Sequence, residues 1–321
     1  MTDTTRGAIM TTAAVIFNPT KVRRESLEKA FASAEEATLH WFETSADDPG
    51  QGIAQEALGV KPDVVIVAGG AGAVRAVAEA LAQTEDAPHL AIVPQGTGNL
   101  LARNLGIPLG LTAAAKRALG GRATPVDLGW VEVTTEGEVQ RHAFAVLVGF
   151  GIDANMIAET DDDLKAKAGW LAYVESLGRA VSKSDVLEVD VTLDGDGFTT
   201  GAHTVLVGNC GSVQGGLTLM PDAVADDGKL DVLVLGADDL SGWFSTVKTM
   251  VWDHGLRKLL PGSADTVPAT DPVTADAHYR QTEHVHVSLP EPRPFQIDGE
   301  EAGHVSEFTA TVQPAAVHVR I

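Results

Sequence analysis

At 321 residues the chain is long enough for two domains, each with its own core. Its 44 acidic residues against 23 basic ones give a formal net charge of −21, which argues against a broad basic face for nucleic acid and against strong electrostatic docking on anionic lipid. No apolar run nears the roughly 20 residues that span a bilayer, no basic and then apolar leader opens the chain, and the one cysteine, Cys210, cannot form an internal disulfide; the set fits a reducing cytoplasm.

In chain order, residues 1–9 read as a disordered lead, with Met10 a second candidate start. Residues 11–17 read as a buried strand ending at Asn18-Pro19-Thr20, and residues 22–34 as a helix with Leu27, Ala30 and Phe31 on its apolar face. Leu39–Phe42 is a second strand and 49–59 a second helix. The apolar run from Val64 to Ala68 then breaks into Gly69-Gly70-Ala71-Gly72-Ala73-Val74 and resumes as a helix. Leu90-Ala91-Ile92-Val93 repeats the plan with Pro94-Gln95-Gly96-Thr97-Gly98-Asn99, and Leu111–Leu119 is a further helix before Gly120-Gly121. Strands alternating with helices predict a parallel, doubly wound sheet up to about Asp127. Beyond it the rhythm changes: Gly129–Thr135, His142–Leu147, Val186–Leu193, His203–Gly208, Leu230–Leu235, His284–Leu289 and Glu307–Val312 read as strands of an antiparallel body. Helices near 162–182 and 240–260 interrupt it, and 262–277 reads as an exposed loop.

The glycine turns carry the first chemistry. Strand, glycine turn and helix together bring backbone N–H groups and a helix N-terminus against a phosphate. Gly69–Val74 fits that plan and equally fits a plain tight connection. The second turn is sharper: Thr97 offers a hydroxyl, Gly98 allows close approach, and Asn99 can donate or cap. Asn18-Pro19-Thr20-Lys21 ends the first strand on the same sheet edge, where open parallel sheets bind ligands; the three turns together point to a nucleotide. Asp226-Asp227-Gly228 can supply a carboxylate and converging carbonyls to a hard cation, or be an acidic turn before the Leu230 strand. Asp298-Gly299-Glu300 follows Phe295 and Ile297 on a turn expected to expose both carboxylates, which suits a base for a hydroxyl or a surface turn. Lys165 and Lys167 follow Asp161-Asp162-Asp163, a charged helix N-terminus with phosphate or headgroup contact as the alternative. His284 and His286 share a strand face, as solvent-facing side chains or a metal pair. Trp243, Phe244, Val247, Met250 and Val251 at helical spacing pack on the second domain or touch membrane.

The chain resembles the diacylglycerol kinase catalytic fold shared by bacterial lipid kinases and sphingosine kinases. The resemblance runs over nearly the whole chain and rests on Asn18-Pro19-Thr20, Pro94-Gln95-Gly96-Thr97-Gly98-Asn99, Val126-Asp127-Leu128-Gly129, Pro221-Asp222-Ala223 with Asp226-Asp227-Gly228, and Asp298-Gly299-Glu300, in that order. It implies an α/β nucleotide-binding domain over 11–127, to which the final strand, 313–321, returns, and a C-terminal β-sandwich lipid domain over 128–312. It also implies ATP with Mg2+ in the cleft and transfer of the γ-phosphate to a lipid hydroxyl. The enzyme would be cytoplasmic, meeting the inner membrane face peripherally and transiently, with no nucleic-acid partner and a homodimer as the family's frequent form. By the same resemblance Asn18, Pro19, Thr20, Lys21, Val22, Thr44, Gly70, Ala71, Gly72, Ala73, Val74, Arg75, Ala76 and Thr97 line the nucleotide. Glu300 accepts the proton of the acceptor hydroxyl. Asp127 helps hold the metal–water network, with Asp298 nearby. A structural Mg2+ takes Asp227 and the carbonyls of Val224 and Lys229.

Two positions depart from the family pattern. Its first turn reads Gly-Gly-Asp-Gly-Thr, where this chain has Gly69-Gly70-Ala71-Gly72-Ala73; an Asp often follows its Gly-Thr-Gly-Asn, where this chain has Leu100. A methyl group at Ala71 can neither coordinate a cation nor orient a hydroxyl, and such groups are worth on the order of 10²–10⁴ in rate. The backbone cradle survives the change. Three readings follow: a lipid kinase, impaired or sustained by Glu300 and Asp127; a pseudokinase that binds nucleotide or lipid without turnover; and a kinase for a soluble hydroxyl compound.

Overall fold

The structure, a computed structural model, describes residues 11–34, 37–45, 48, 50–135, 138–151, 186–213, 218–236 and 278–321. The lead before Met10, the helices expected near 162–182 and 240–260 and the loop 262–277 lie outside the described residues. With them lie Asp161, Asp162, Asp163, Lys165, Lys167, Trp243, Phe244, Val247, Met250 and Val251.

The chain forms two compact units. The first takes the chain up to Leu128, with Ala225–Asp227 and Gln313–Ile321. Its parallel sheet runs β2 (Ala37–Glu43), β1 (Thr11–Phe17), β3 (Val64–Gly69), β4 (His89–Pro94), and is extended by the end of β14 (Glu300–Arg320), where Val319 pairs with Leu90. Ala13 to Phe17 and Val64 to Ala68 are buried throughout, because such strands are covered on both faces and so read as unbroken apolar runs. On one face Val15, Phe17, Ile66 and Val93 pack with Leu27 and Phe31 of α1 (Arg24–Phe31) and Ala115 of α5 (Leu111–Gly120). The alternate residues Ala14, Ile16, Val65 and Val67 point the other way, to the side of α2 (Gln51–Leu58) and α3 (Ala71–Ala82), which contact β1 and β3. The expected turn from Gly69 to Val74 is shorter than its glycines suggest. Gly69 still belongs to β3 and Ala71 already to α3, which leaves Gly70 alone as the N-cap.

The second unit takes Gly129–Val224 and Gly228–Val312 and is a β-sandwich-like body. β5 (Ala123–Thr135) pairs antiparallel with β6 (Glu138–Phe144), Gly129 opposite Phe144. β12 (His278–Thr282), β11 (Leu230–Leu235), β10 (Thr204–Gly208), β7 (Leu147–Phe150) and β13 (His284–Ile297) follow one another antiparallel. β8 (Leu187–Leu193) and β9 (Asp196–Ala202) form a hairpin whose β8 also pairs with β13. Val148, Val207, Val232, Val285, Phe295 and Phe308 are among its buried core.

Here the sequence reading needs correction in four places, the first being the strand expected at His142–Leu147, which is split between the end of β6 at Phe144 and the start of β7 at Leu147. The strand expected at His284–Leu289 runs on to Ile297 through Pro290, Pro292 and Pro294. Prolines lack the ladder N–H, and the cost shows as register shifts after Ser288 and after Pro294. β14 starts at Glu300 rather than Glu307, directly after the Asp298-Gly299 turn. β9 and β12 were not anticipated; β9 is rich in Gly and Thr and lacks an apolar run.

Candidate functional site

Parallel strands put their carboxyl ends on one edge, so four expected segments of the first unit share it. After β1, the Asn18 N–H donates to the Ala68 carbonyl at 3.2 Å, tying this turn to β3. Asn18 Oδ1 accepts from the Thr20 N–H at 2.9 Å and from its hydroxyl at 2.6 Å. The N–H groups of Lys21 and Val22 both donate to the Asn18 carbonyl, so Pro19 sits inside a self-bonded turn. Thr44, buried after β2, donates through its N–H at 3.0 Å to the Phe17 carbonyl.

The two glycine turns meet. The Gln95 N–H donates to the Gly69 carbonyl at 2.9 Å. A Cβ on Gly96 would lie 2.8 Å from the Gly70 Cα, closer than real contacts allow. Asn99, at φ +49°, folds its side chain back on the loop: the Gly96 N–H donates to its Oδ1 at 2.9 Å and its Nδ2 donates to the Gly96 carbonyl at 2.7 Å. Asn99 thus braces Gly96 and makes no side-chain cap on α4 (Leu100–Asn104). Thr97 lies within this braced loop. α3 opens at Ala71 with no side-chain cap and no acid in its first turn. Its leading N–H groups have no acceptor inside the helix, and the helix dipole points its positive end at them.

This donor set fits a phosphate. It offers backbone N–H groups at Ala71, Gly72 and Ala73, and the missing side chain of Gly96 lets the second turn pack against Gly70 at the head of the helix. The same turn carries no carboxylate and does not fit a cation.

The acids fall into two groups by exposure. Asp127 is 2% exposed; its N–H donates to the Ala225 carbonyl at 2.7 Å, and its Oδ1 accepts from the Ala315 N–H at 2.6 Å. Asp298, expected to be exposed, is buried at 4%. Its Oδ2 accepts from the Ala145 N–H at 2.8 Å, and its Oδ1 from those of Val146 and Leu147 at 2.8 and 3.0 Å. The carboxylate is turned inward because three neighbouring N–H groups satisfy it better than water does. Glu300, two residues on, is exposed at the start of β14. Asp226 and Asp227 are exposed in a run of turns with Gly228 at φ +73°, flanked by the exposed Val224 and Lys229. Among the described residues no three His, Cys, Asp or Glu side chains gather as a metal cluster. His286 does not reach for a metal with His284: its Nδ1 bonds the Thr309 hydroxyl at 3.0 Å and its Nε2 lies 3.6 Å from Glu307.

Sequence reasoning missed Asn209 and Cys210. Both N–H groups donate to the Val146 carbonyl, at 2.8 and 3.1 Å, and Asn209 Nδ2 donates to the Ala145 carbonyl at 3.1 Å. Burial, then the Asp298 carboxylate, push the Cys210 thiol well up, so it stays protonated and donates to the Ala145 carbonyl. The available signal was polar Asn209 closing the apolar run Val205-Leu206-Val207.

Comparison with known proteins agrees with this architecture. The diacylglycerol kinase catalytic domain profile matches residues 12–131, and that of the YegS C-terminal NAD kinase beta sandwich-like domain matches 146–253. A Pectobacterium atrosepticum protein named "Probable lipid kinase YegS-like" is 30% identical over 294 residues, covering 88% of this chain and 86% of its own. The diacylglycerol kinase of Bacillus subtilis is 29% identical over 304 residues, covering 92% and 91%. The crystal structure of a diacylglycerol kinase from Bacillus anthracis strain Sterne has the same fold, with a TM-score of 0.66 at 21% identity over 98% of both chains. The chain belongs to the diacylglycerol kinase catalytic-domain family and carries the YegS-type C-terminal domain.

Proposed function

We propose that this protein transfers the γ-phosphate of ATP to the hydroxyl of a lipid. One observation carries the reading: the uncapped N-terminus of α3 faces a braced glycine loop with no side chain at Gly70 or Gly96 between them. Family membership supports the kinase class. Asn18, Pro19, Thr20, Lys21, Val22, Thr44, Thr97 and the segment from Gly70 to Val74 line the nucleotide. The first N–H groups of α3 bind phosphate oxygens, which the positive end of the helix favours.

Glu300 accepts the proton of the acceptor hydroxyl as the oxygen forms its bond to the γ-phosphorus, and the bond from that phosphorus to the bridging oxygen breaks to leave ADP. Asp127 would help hold the metal–water network. Bound Mg2+ supplies neutralisation of the transferring phosphate. A second, structural Mg2+ would be held by Asp227 with the carbonyls of Val224 and Lys229, an oxygen set that suits the ion. The lipid is met at the membrane surface, and among the described residues no helix is long and apolar enough to cross a bilayer.

A second reading has its own observation: Ala71 and Ala73 stand at the head of α3, where the family turn has Asp and Thr, so the chain binds nucleotide without turnover. Purified protein with γ-labelled ATP, Mg2+ and vesicles carrying a panel of lipid hydroxyls separates the two. Label in one lipid class supports the kinase. ATP binding by calorimetry with no label in any lipid, beside an active relative as control, supports the second reading. If Ala71→Asp then raises turnover steeply, the first turn is what limits the native enzyme.

A further inference from the structure

We propose that Asp298 and Asn209 are positioning residues for Glu300; the inference rests on the reading of Glu300 as the base. The corner Ala145-Val146-Leu147 joins β6 to β7, and every backbone N–H and carbonyl in it has a partner from one of two other turns. Asp298 takes all three N–H groups through its carboxylate, and its own N–H donates to the Leu147 carbonyl at 2.8 Å. From the other side Asn209 and Cys210 take the carbonyls of Ala145 and Val146. Asn209 is 0% exposed. A polar network this deeply buried admits one arrangement, because an unmet donor or acceptor there is costly.

The arrangement fixes where β14 begins. Asp298 and Gly299 both have positive φ, +52° and +85°, and Ile297 pairs with Glu300 across them. That is the two-residue Asp-Gly hairpin turn. Ile297 in turn pairs with Val148 of β7, directly after the corner. The Glu300 backbone is therefore held on one side by Ile297 and through Asp298 by the corner, while the residue itself is exposed. A base on an exposed side chain depends on its Cα being placed correctly, since misplacement by an ångström costs about 10²-fold in rate. A carboxylate does this where an amide cannot: an Asn at 298 would turn N–H groups toward at least one corner donor.

The test is a double-mutant cycle on the full chain, read as kcat and KM for ATP, with thermal melts to confirm folding. Asp298→Asn is expected to lower kcat about 10²-fold with KM for ATP changed less than about twofold, and to lower it no further in the Glu300→Gln background. If Asp298→Asn does not fold, Asn209→Ser carries the same cycle, since it loses the side-chain bond to Ala145 and keeps the backbone bonds. An equal loss in both backgrounds, or a KM for ATP that rises as much as kcat falls, assigns the pair a merely structural role and overturns the inference. Native turnover in Glu300→Gln itself is a different failure: it removes the base, and with it the group the corner would position.

Discussion

Single residues decide how closely the two glycine turns meet. Gly96 is the clearest, because the space its missing Cβ leaves is taken by the Gly70 backbone at 2.8 Å. Gly96→Ala is expected to push the two turns apart, at a cost of about 1–3 kcal/mol in stability. ATP affinity by calorimetry should fall about tenfold, which corresponds to roughly 1.4 kcal/mol; native affinity would mean that the nucleotide does not use this approach. The close meeting of the two turns is what their glycines foreshadow in the sequence, because only a missing side chain at Gly96 permits it. The burial of Asp298 was not legible. Its partners lie 151 to 153 positions away, and an acid after Ile297 looks the same in sequence whether it faces water or a buried corner. Asn209 could be read only as a polar residue after an apolar run, since its partner Ala145 lies 64 positions away.

At the scale of elements, local chemistry explains both the strands that were read and those that were missed. β1, β3 and β4 announce themselves as unbroken apolar runs, as strands covered on both faces must. β13 hides behind its prolines. Its first part pairs with β8 through Val285 to Ser288, and its last residues pair with β7 through Gln296 and Ile297. The prolines sit where the partner on that side changes from β8 to β7, while β14 stays paired on the other. The same device starts two hairpins. Asp194-Gly195 has positive φ at both residues, like Asp298-Gly299, and its carboxylate also accepts N–H groups of a neighbouring strand, from Glu283 and His284. Asp-Gly is a hairpin signal, but Asp298-Gly299 was read only as a turn and Asp194-Gly195 was passed over, which is why β9 was missed. Gly129 shows why one family motif ends in glycine: opposite it across the β5–β6 pair, the Phe144 ring occupies the place a Cβ would take. Gly129→Ala should displace that ring and cost about 1–3 kcal/mol in denaturant unfolding. A change under about 0.5 kcal/mol would show that the ring moves freely.

At the scale of the whole molecule, the returning C-terminal segment completes the first unit. Val317 and Val319 are buried. Arg320 Nη1 donates to the carbonyls of Ala118 and Leu119 at the end of α5, at 3.2 and 2.6 Å, where a cation also meets the negative end of the helix. Gln313 donates to the Ala82 carbonyl at the end of α3, and the Ala315 N–H donates to Asp127. Removing residues 313–321 therefore strips an edge strand and two helix-end anchors from the sheet that carries the glycine turns. Against a total stability of about 5–15 kcal/mol, that loss is expected to abolish the cooperative melt of this unit and with it ATP binding; a shortened chain that still binds ATP with native affinity would contradict it. The two-domain plan and the kinase class were both readable from the order of short motifs, whereas the length of β14 was not, because its polar start at Glu300 to Ser306 carries no apolar pattern.

The central claim is that Glu300 removes the proton while the glycine turns hold ATP, and one paired measurement tests it most directly: initial rates of label transfer from ATP to the preferred lipid for the native chain and Glu300→Gln, with ATP affinity of both proteins. The account predicts a rate lower by about 10²–10⁴-fold at unchanged ATP affinity. Equal rates in the two proteins would contradict it.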